Sequence, residues 1–483
     1  MRDLACDVAV IGAGTAGIAA HRAALSAGAK AVLIEQGPGG TTCARVGCMP
    51  SKLLITAAEA AEDARAAHRL GIHVGAVRVD GPAVLARMRH WRDRFVGSVF
   101  EGLEQLPDES RLTGRAVFEG PDCLRVDDHT RLRFKAAVLA TGSSPSVPEP
   151  LRDLGERVLT TDTVFDIEDL PASLAVLGAG PVGLELAQAM ARLGVRTSVF
   201  DPGDSLGSLS EPDLKAAARE IFSQAFDLHL GAKVEHAAPD GDGARLGWNG
   251  EGGAGEGRFT RVLAAAGRPP NVRGLGLERT GVSLDETGSP SYDSRSLLCE
   301  GAPILIAGDA NADRPVLHEA SRQGRIAGRN AARLAAGEGP ERPERWVALA
   351  MVFSQPQIAV IGGGFSPGSG RIVGRADFCD QGRAQVMDRA QGRHPPLCRA
   401  GRAAHRSRTG RPGGGASRPS SGLCRPGRAR RTAFPRPSLL SSDPGGGARH
   451  GPVRSRGSAG LKRSVSGWRQ PRSDADPTSD ART

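Results

Sequence analysis

The feature that most constrains the fold is a strand–glycine loop–helix–strand–acid unit that occurs twice. In the first copy, Asp7–Ile11 (DVAVI) is a short apolar run suited to a strand buried on both faces. Gly12, Gly14 and Gly17 follow in G-A-G-T-A-G, then an Ala-rich helical stretch to about Ser26, then Lys30–Glu35 (KAVLIE), a strand ending on an acid. In the second copy, Ser173–Leu177 (SLAVL) precedes Gly178, Gly180 and Gly183 in G-A-G-P-V-G. A helical pattern runs through Leu193, and Val195–Phe200 leads to Asp201. In both copies the acid stands 23 residues after the first glycine. Glycines in this order allow a tight turn and close approach of a pyrophosphate to a helix N-terminus, and the acid can accept hydrogen bonds from an adenosine ribose. Glycine makes up 65 of 483 residues, so a bare GxGxxG carries little weight. The flanking strand, helix and acid supply the specificity. Asp201 is followed by Pro202, Gly203 and Asp204 rather than an Arg pair, which favours a free 2′-hydroxyl and so NAD over NADP.

Three further apolar segments, Lys135–Gly142, Arg261–Arg268 and Ala302–Asp309, read as buried strands, and a helical pattern runs from His318 to Leu334. The alternation of strands and helices predicts an α/β protein, and 483 residues suggest about three domains. No apolar run reaches about 18 residues, which argues against a membrane span. The N-terminus lacks the basic and apolar regions of a secretory signal, so a cytoplasmic protein is expected. Eight cysteines are too sparse for a disulfide scaffold, and none has zinc-site spacing, so no metal site is expected.

The formal charge of +10 hides two regions of opposite sign. Residues 393–483 hold nineteen Arg and one Lys against four Asp, which leaves the rest of the chain net acidic. The tail is rich in Gly, Pro, Ser and Arg without helical or strand period, a composition that predicts disorder. A basic tail invites a nucleic-acid reading, but stacking aromatics are nearly absent and no RGG-type repeat occurs. Nucleic acid is therefore not the expected partner.

Gly40–Lys52 reads GTTCARVGCMPSK. Cys43 and Cys48 lie just ahead of a helix expected to begin near Pro50, since Pro suits a first turn. A thiol at a helix N-terminus is biased towards thiolate, and Lys52 adds positive charge. Two such thiols can cycle between dithiol and disulfide; the alternative is a pair of ordinary reduced cysteines. Cys6, Cys123, Cys299, Cys379, Cys398 and Cys424 have no such spacing and read as inert.

This segment closely resembles the active-site segment of the flavin-dependent pyridine nucleotide–disulfide oxidoreductases, and residues 5 to about 390 resemble the dihydrolipoyl dehydrogenases among them. The resemblance implies two Rossmann-like dinucleotide-binding domains and a C-terminal α+β dimerisation domain. The FAD domain would comprise residues 1–148 and 279–340, with the NAD domain inserted as 149–278. Residues 345–392 would be a partial dimerisation domain, opened by Val352–Val360 (VFSQPQIAV), and 393–483 the tail. Gly12, Gly14, Gly17 and Glu35 would bind FAD, with Ala116, Thr141, Gly142 and Asp309 in later FAD motifs. Gly178, Gly180, Gly183, Glu185, Asp201 and Gly267 would form the NAD site. Cys43 would exchange with the substrate, Cys48 would face the flavin, and Lys52 would sit near its reactive nitrogen. The implied reaction is dihydrolipoamide plus NAD to lipoamide plus NADH, in a homodimer.

One part of the family pattern has no match. Its acid–base pair stands in a His-Pro…Glu-Glu context near the C-terminus and acts across the dimer. Here the only downstream His-Pro is His394-Pro395, and no Glu follows Glu344. Back-translating Ser438–His450 and reading from the second codon base permits a sequence containing His-Pro and Glu-Glu, and Gly415–Gly422 likewise permits a family-like segment. We read this as a one-frame shift between about Met387 and Ala403. Loss of a general acid–base typically costs 10²–10⁴ in rate, so turnover is expected to be impaired, and residues 345–392 should expose apolar strands. Two competing readings remain: a mercuric or glutathione reductase of the same architecture, though no C-terminal cysteine pair favours mercury; and a flavin-binding pseudoenzyme whose basic tail binds an acidic partner.

Overall fold

The computed structural model describes residues 1–204 and 206–364, together with the backbone of one antiparallel strand pair, Ile372–Gly374 and Arg402–Ala404. The arginine-rich tail after residue 404, and most of the stretch assigned to the frame shift, lie outside the described residues.

Two parallel five-stranded sheets carry the fold. In the first, the strands run in the order Ile304–Ile306, Ala136–Leu139, Val8–Ile11, Ala31–Glu35, Arg111–Thr113. Val8–Ile11 is buried throughout because its alternate residues enter different cores. Val8 and Val10 pack under the helices Thr15–Ser26 and Leu317–Ala335, while Ala9 and Ile11 face Phe118, Leu124 and Leu132 of an antiparallel layer. The two helices touch backbone to backbone. A Cβ on Gly324 would lie 2.2 Å from the Ala16 carbonyl oxygen, and one on Gly328 would lie 2.1 Å from that of Ala20. Glycines four apart on one helix thus seat against alanines four apart on the other.

The second sheet repeats the plan in the order Asp227–Leu230, Arg196–Asp201, Ser173–Leu177, Arg261–Ala264, Val158–Leu159. Leu174 and Val176 face the helix Pro181–Arg192, and Ala175 and Leu177 face a three-stranded antiparallel layer that contributes Val234, Leu246 and Phe259. In each sheet the glycine-loop strand sits between the strand that ends on the acid and a closing strand.

The closing strands end in turns that bind one another. Ser146 N–H donates to Gly267 O (3.0 Å) and Asn271 N–H to Gly142 O (2.9 Å), which joins the two units next to their glycine loops. A helix also crosses between them. Cys48–Ala66 leaves the first unit and buries Leu54, Ile55 and Ala58 against Leu184 and Ala187 of the second. The strands Leu349–Val352 and Ile358–Ile361 form an antiparallel hairpin whose Val352 and Ile358 enter the same core, while Trp346, Val347 and Ile361 stay exposed. Among the described residues after 345, the expected exposure of apolar residues therefore holds for Trp346, Val347 and Ile361 but not for Val352 and Ile358.

Candidate active site

The glycine loops are built alike down to single hydrogen bonds. Glu35 accepts from Ala13 N–H (2.7 Å) and Gly37 N–H (2.8 Å), while Asp201 accepts from Ala179 N–H (2.8 Å) and Gly203 N–H (2.9 Å). A Cβ on Gly12 would meet Ala140 O at 2.4 Å, and one on Gly178 would meet Ala265 O at the same distance. Gly17 and Gly183 press on the carbonyls of Gly12 and Gly178, where a Cβ would lie at 1.7 and 1.9 Å. Gly14 and Gly180 differ, because a Cβ there would meet nothing within 4 Å. Two glycines of each loop are thus fixed by packing, and the middle one faces open space ahead of a helix N-terminus, where a pyrophosphate would approach.

A cavity of about 950 Å3 extends from the first loop. Gly12, Gly14, Glu35, Ala116, Thr141 and Gly142 line it. Thr141 Oγ1 and Arg45 Nε are buried beside it without a hydrogen-bond partner, as befits a wall that awaits a polar ligand. The size, the open glycine and the unpaired polar atoms fit a dinucleotide. Asp309 accepts from Ser143 Oγ (3.0 Å), and Ser143 lines the cavity. Gly267, at φ +118°, shapes the closing turn of the second unit as Gly142, at φ +68°, shapes that of the first.

Residues 41–49 form the wall between this cavity and a second one. Thr42, Arg45 and Val46 face the dinucleotide cavity, while Cys43, Ala44 and Met49 line a cleft of about 700 Å3 on the far side. Cys43 belongs to a short helix, Thr42–Arg45, and Cys48 is the first residue of the helix Cys48–Ala66. Pro50 sits in the first turn of that helix, as expected, because Pro there gives up an N–H that has no intrahelical acceptor. Both thiols are free. Cys48 is lowered to about 7, chiefly by the hydrogen bond from the Cys43 thiol and further by the Lys52 ammonium, against the opposing effect of burial. Cys43 is raised because it donates that bond and because it is buried. The pair is thus polarised: Cys48 is the more readily ionised thiol and Cys43 the less. Cys6 and Cys299 are buried and pushed up to about 12, which leaves them unreactive, and Cys123 is raised as well.

Lys52 Nζ donates to Glu185 Oε2 (2.7 Å), and Glu185 Oε1 accepts from Phe353 N–H (2.9 Å). The Phe353 ring lies 4.3 Å from the ammonium. Gln188 clamps the same segment, accepting from Gln355 N–H (2.7 Å) and donating to Gln355 O (2.8 Å). A second cluster has no counterpart among the sequence motifs. Arg268 donates to Ser143 O (2.8 Å), Ser143 Oγ (3.3 Å) and Thr161 Oγ1 (2.5 Å), tying the closing turn of the second unit to the Ser143–Asp309 pair of the first. Its only sequence signal is a position directly after Gly267. Among the described residues no cluster of three His, Cys, Asp or Glu could hold a metal ion, and no helix is long and apolar enough to cross a membrane.

Comparison with known proteins gives one picture. Residues 6–324 match the family model described as pyridine nucleotide-disulphide oxidoreductase. The chain is 31% identical over 405 residues to a dihydrolipoyl dehydrogenase of Chlamydia muridarum, covering 80% of this chain and 83% of that one. It is 34% identical over 368 residues to a mercuric reductase of Streptomyces lividans, covering 74% and 75%. Among solved structures, the flavoprotein disulfide reductase RclA of Escherichia coli superposes with a TM-score of 0.68 at 22% identity, covering 81% of this chain and 85% of that one.

Proposed function

Because the chain belongs to the pyridine nucleotide–disulphide oxidoreductase family, whose members use FAD and NAD(P), we propose that it moves electrons between NAD and a lipoyl-type dithiol through Cys43 and Cys48. The reaction is dihydrolipoamide plus NAD to lipoamide plus NADH. The observation that carries this reading is the wall: the segment 41–49, which holds both thiols, divides a dinucleotide-sized cavity from a second cleft, and Cys43 lines that cleft while Cys48 is the more readily ionised thiol.

Bound FAD would supply the two-electron relay between the thiols and the nicotinamide. The first glycine loop, Glu35, Ala116, Thr141, Gly142 and Asp309 would hold it, and Gly178, Gly180, Gly183, Asp201 and Gly267 would hold NAD. Lys52, fixed by Glu185, keeps positive charge close to Cys48 and so favours its thiolate. A substrate thiolate attacks the Cys43 sulfur of the Cys43–Cys48 disulfide and releases Cys48 as the thiolate, and the second substrate thiol then displaces Cys43 from that mixed disulfide, which leaves both cysteines reduced and the substrate as its disulfide. The substrate thiol must lose its proton before it attacks. No Glu-Glu follows His394-Pro395 to relay that proton, so turnover is slow, by about 10²–10⁴. We place the protein in the cytoplasm, as a homodimer wherever the reading frame is intact.

The test is dihydrolipoamide-dependent NAD reduction by the FAD-loaded full chain, beside NADH oxidation by a dye. Cys43→Ala should abolish the first and spare the second. A dithiol-dependent rate that survives Cys43→Ala would sink the proposal. Because the Streptomyces relative is a mercuric reductase, mercuric ion is the second acceptor to assay.

A further inference from the structure

The wall segment that carries the thiols also carries an unmatched cation. Arg45 stands two residues after Cys43 and three before Cys48, at the end of the short helix Thr42–Arg45. It lines the larger cavity and not the cleft that Cys43 lines. Its Nε is shut off from solvent without a hydrogen-bond partner, and among the described residues its guanidinium forms no ion pair. Buried donors are almost always paired, so this one points to an acceptor that is not a protein group. The carboxylates lining the cavity are engaged elsewhere: Glu35 with Ala13 and Gly37 N–H, and Asp162 with Arg268 at 3.8 Å. The other arginines around it donate to backbone oxygens: Arg115 to Gly274 O (3.2 Å), Arg268 to Ser143 O (2.8 Å) and Arg273 to Thr287 O (3.2 Å). The cation that favours the Cys48 thiolate is Lys52, which Glu185 fixes. Arg45 is therefore left for a ligand of the cavity. A guanidinium suits a phosphate because it grips two oxygens at once through parallel N–H groups.

We propose that Arg45 is a further FAD-binding residue, whose guanidinium pairs with the diphosphate that approaches Gly14 in the same cavity. The proposal rests on the reading that this cavity holds FAD. The diphosphate is then held twice, by the first glycine loop and by the redox segment itself. Because Arg45 lies between the two thiols, one stretch of chain carries both the thiol pair and a grip on the cofactor.

The test uses the full-length chain loaded with FAD. Release after dilution is followed by the fluorescence gained as FAD leaves, and thermal melts are recorded for the FAD-loaded and the FAD-free protein. Arg45→Gln is expected to speed release by about 10- to 100-fold, the loss of one hydrogen bond to a charged acceptor. Arg45→Lys keeps the charge without the planar fork, so its release rate should fall between those of wild type and Arg45→Gln. Arg45 Nε has no protein partner to lose. The FAD-free Arg45→Gln protein should therefore melt with wild type, and only the rise in melting temperature on adding FAD should shrink. Release from Arg45→Gln at the wild-type rate overturns the proposal. So does a FAD-free melting temperature that falls with the substitution, or a variant that does not fold, because Arg45 would then be holding the fold rather than the cofactor. A wild-type chain that takes up no FAD overturns the functional reading itself, which separates the two failures.

Discussion

An alanine at Gly180 separates folding from cofactor binding. Gly180 precedes the helix Pro181–Arg192 at φ −70° and ψ −179°, a conformation open to any residue, and its added Cβ would meet nothing within 4 Å. Restricting the unfolded chain stabilises by about 0.4–1 kcal/mol, while alanine caps a helix less well than glycine, by about 0.5–1.5 kcal/mol. The two effects offset to within about 1 kcal/mol, so the melting temperature should barely move. The new methyl group, however, stands where a pyrophosphate would meet the helix N-terminus. Losing one hydrogen bond to a charged acceptor costs about 1.5–3 kcal/mol, or roughly 10- to 100-fold in affinity. The assay is anaerobic stopped-flow reduction of the bound flavin over a range of NADH concentrations, beside a thermal melt. Half-saturating NADH should rise about 10- to 100-fold at constant melting temperature. Gly183→Ala is the contrast: its Cβ would lie 1.9 Å from the Gly178 carbonyl oxygen, so loop and helix must part by about 1 Å and both readings should fall. Unchanged NADH saturation in a normally melting Gly180→Ala protein would refute the assignment of this loop to the nicotinamide cofactor.

Three further outcomes are expected. In the reduced protein the ultraviolet absorbance of the Cys48 thiolate should fall as pH drops through about 7, and Cys43→Ala, which removes the supporting hydrogen bond, should move that transition upward; an unmoved transition would place the thiolate elsewhere. Arg268→Met removes the donor that joins Ser143 to Thr161, so FAD should dissociate faster on dilution, by about tenfold for one such bond; retention equal to wild type would limit Arg268 to a structural link. His21 is fully buried and donates from one ring nitrogen to Ala31 O (3.2 Å), and burial lowers its affinity for a proton. The unfolded chain therefore takes up the proton first, and the His21 contribution to stability, present above its ordinary value of 6.5, is lost as pH falls below it. His21→Leu should flatten the slope of melting temperature against pH between about 5 and 7, and an unaltered slope would contradict this.

What could be read from the sequence was what lies close together along the chain. Each strand–loop–helix–acid unit is a local object: the apolar run buries itself, the glycines meet carbonyls a few residues away, and the acid returns to the loop 22 residues before it. The thiol segment was legible for the same reason. The helix expected to begin near Pro50 begins at Cys48, with Pro50 in its first turn. The links between units were not legible. Lys52 meets Glu185 across 133 residues, and Phe353 reaches Glu185 across 168, so no spacing rule connects them. Arg268 reaches Ser143 across 125 residues, and nothing in its own neighbourhood marks it as more than a surface arginine. The cleft beyond Cys43 escaped notice likewise, since Arg22 and Arg325 come from opposite ends of the first unit and meet only when their helices pack through Gly324 and Gly328.

The doubly engaged acids carry a lesson for redesign. Asp201 uses one oxygen to hold Ala179 N–H and the other to hold Gly203 N–H. It therefore sets the shape of its loop before any nucleotide arrives. Changing the preference from NAD to NADP calls for removing this negative charge to admit a 2′-phosphate. Doing so with Ala or Arg would also untie both ends of the loop, and the new enzyme would trade selectivity for a disordered cradle. Asn or Ser, each with a neutral oxygen acceptor, could keep the Ala179 tie while a nearby arginine supplies the new specificity. A switch of coenzyme in this chain is thus a two-residue problem, in which the scaffold function of the acid has to be replaced separately from its proposed role in choosing the ligand.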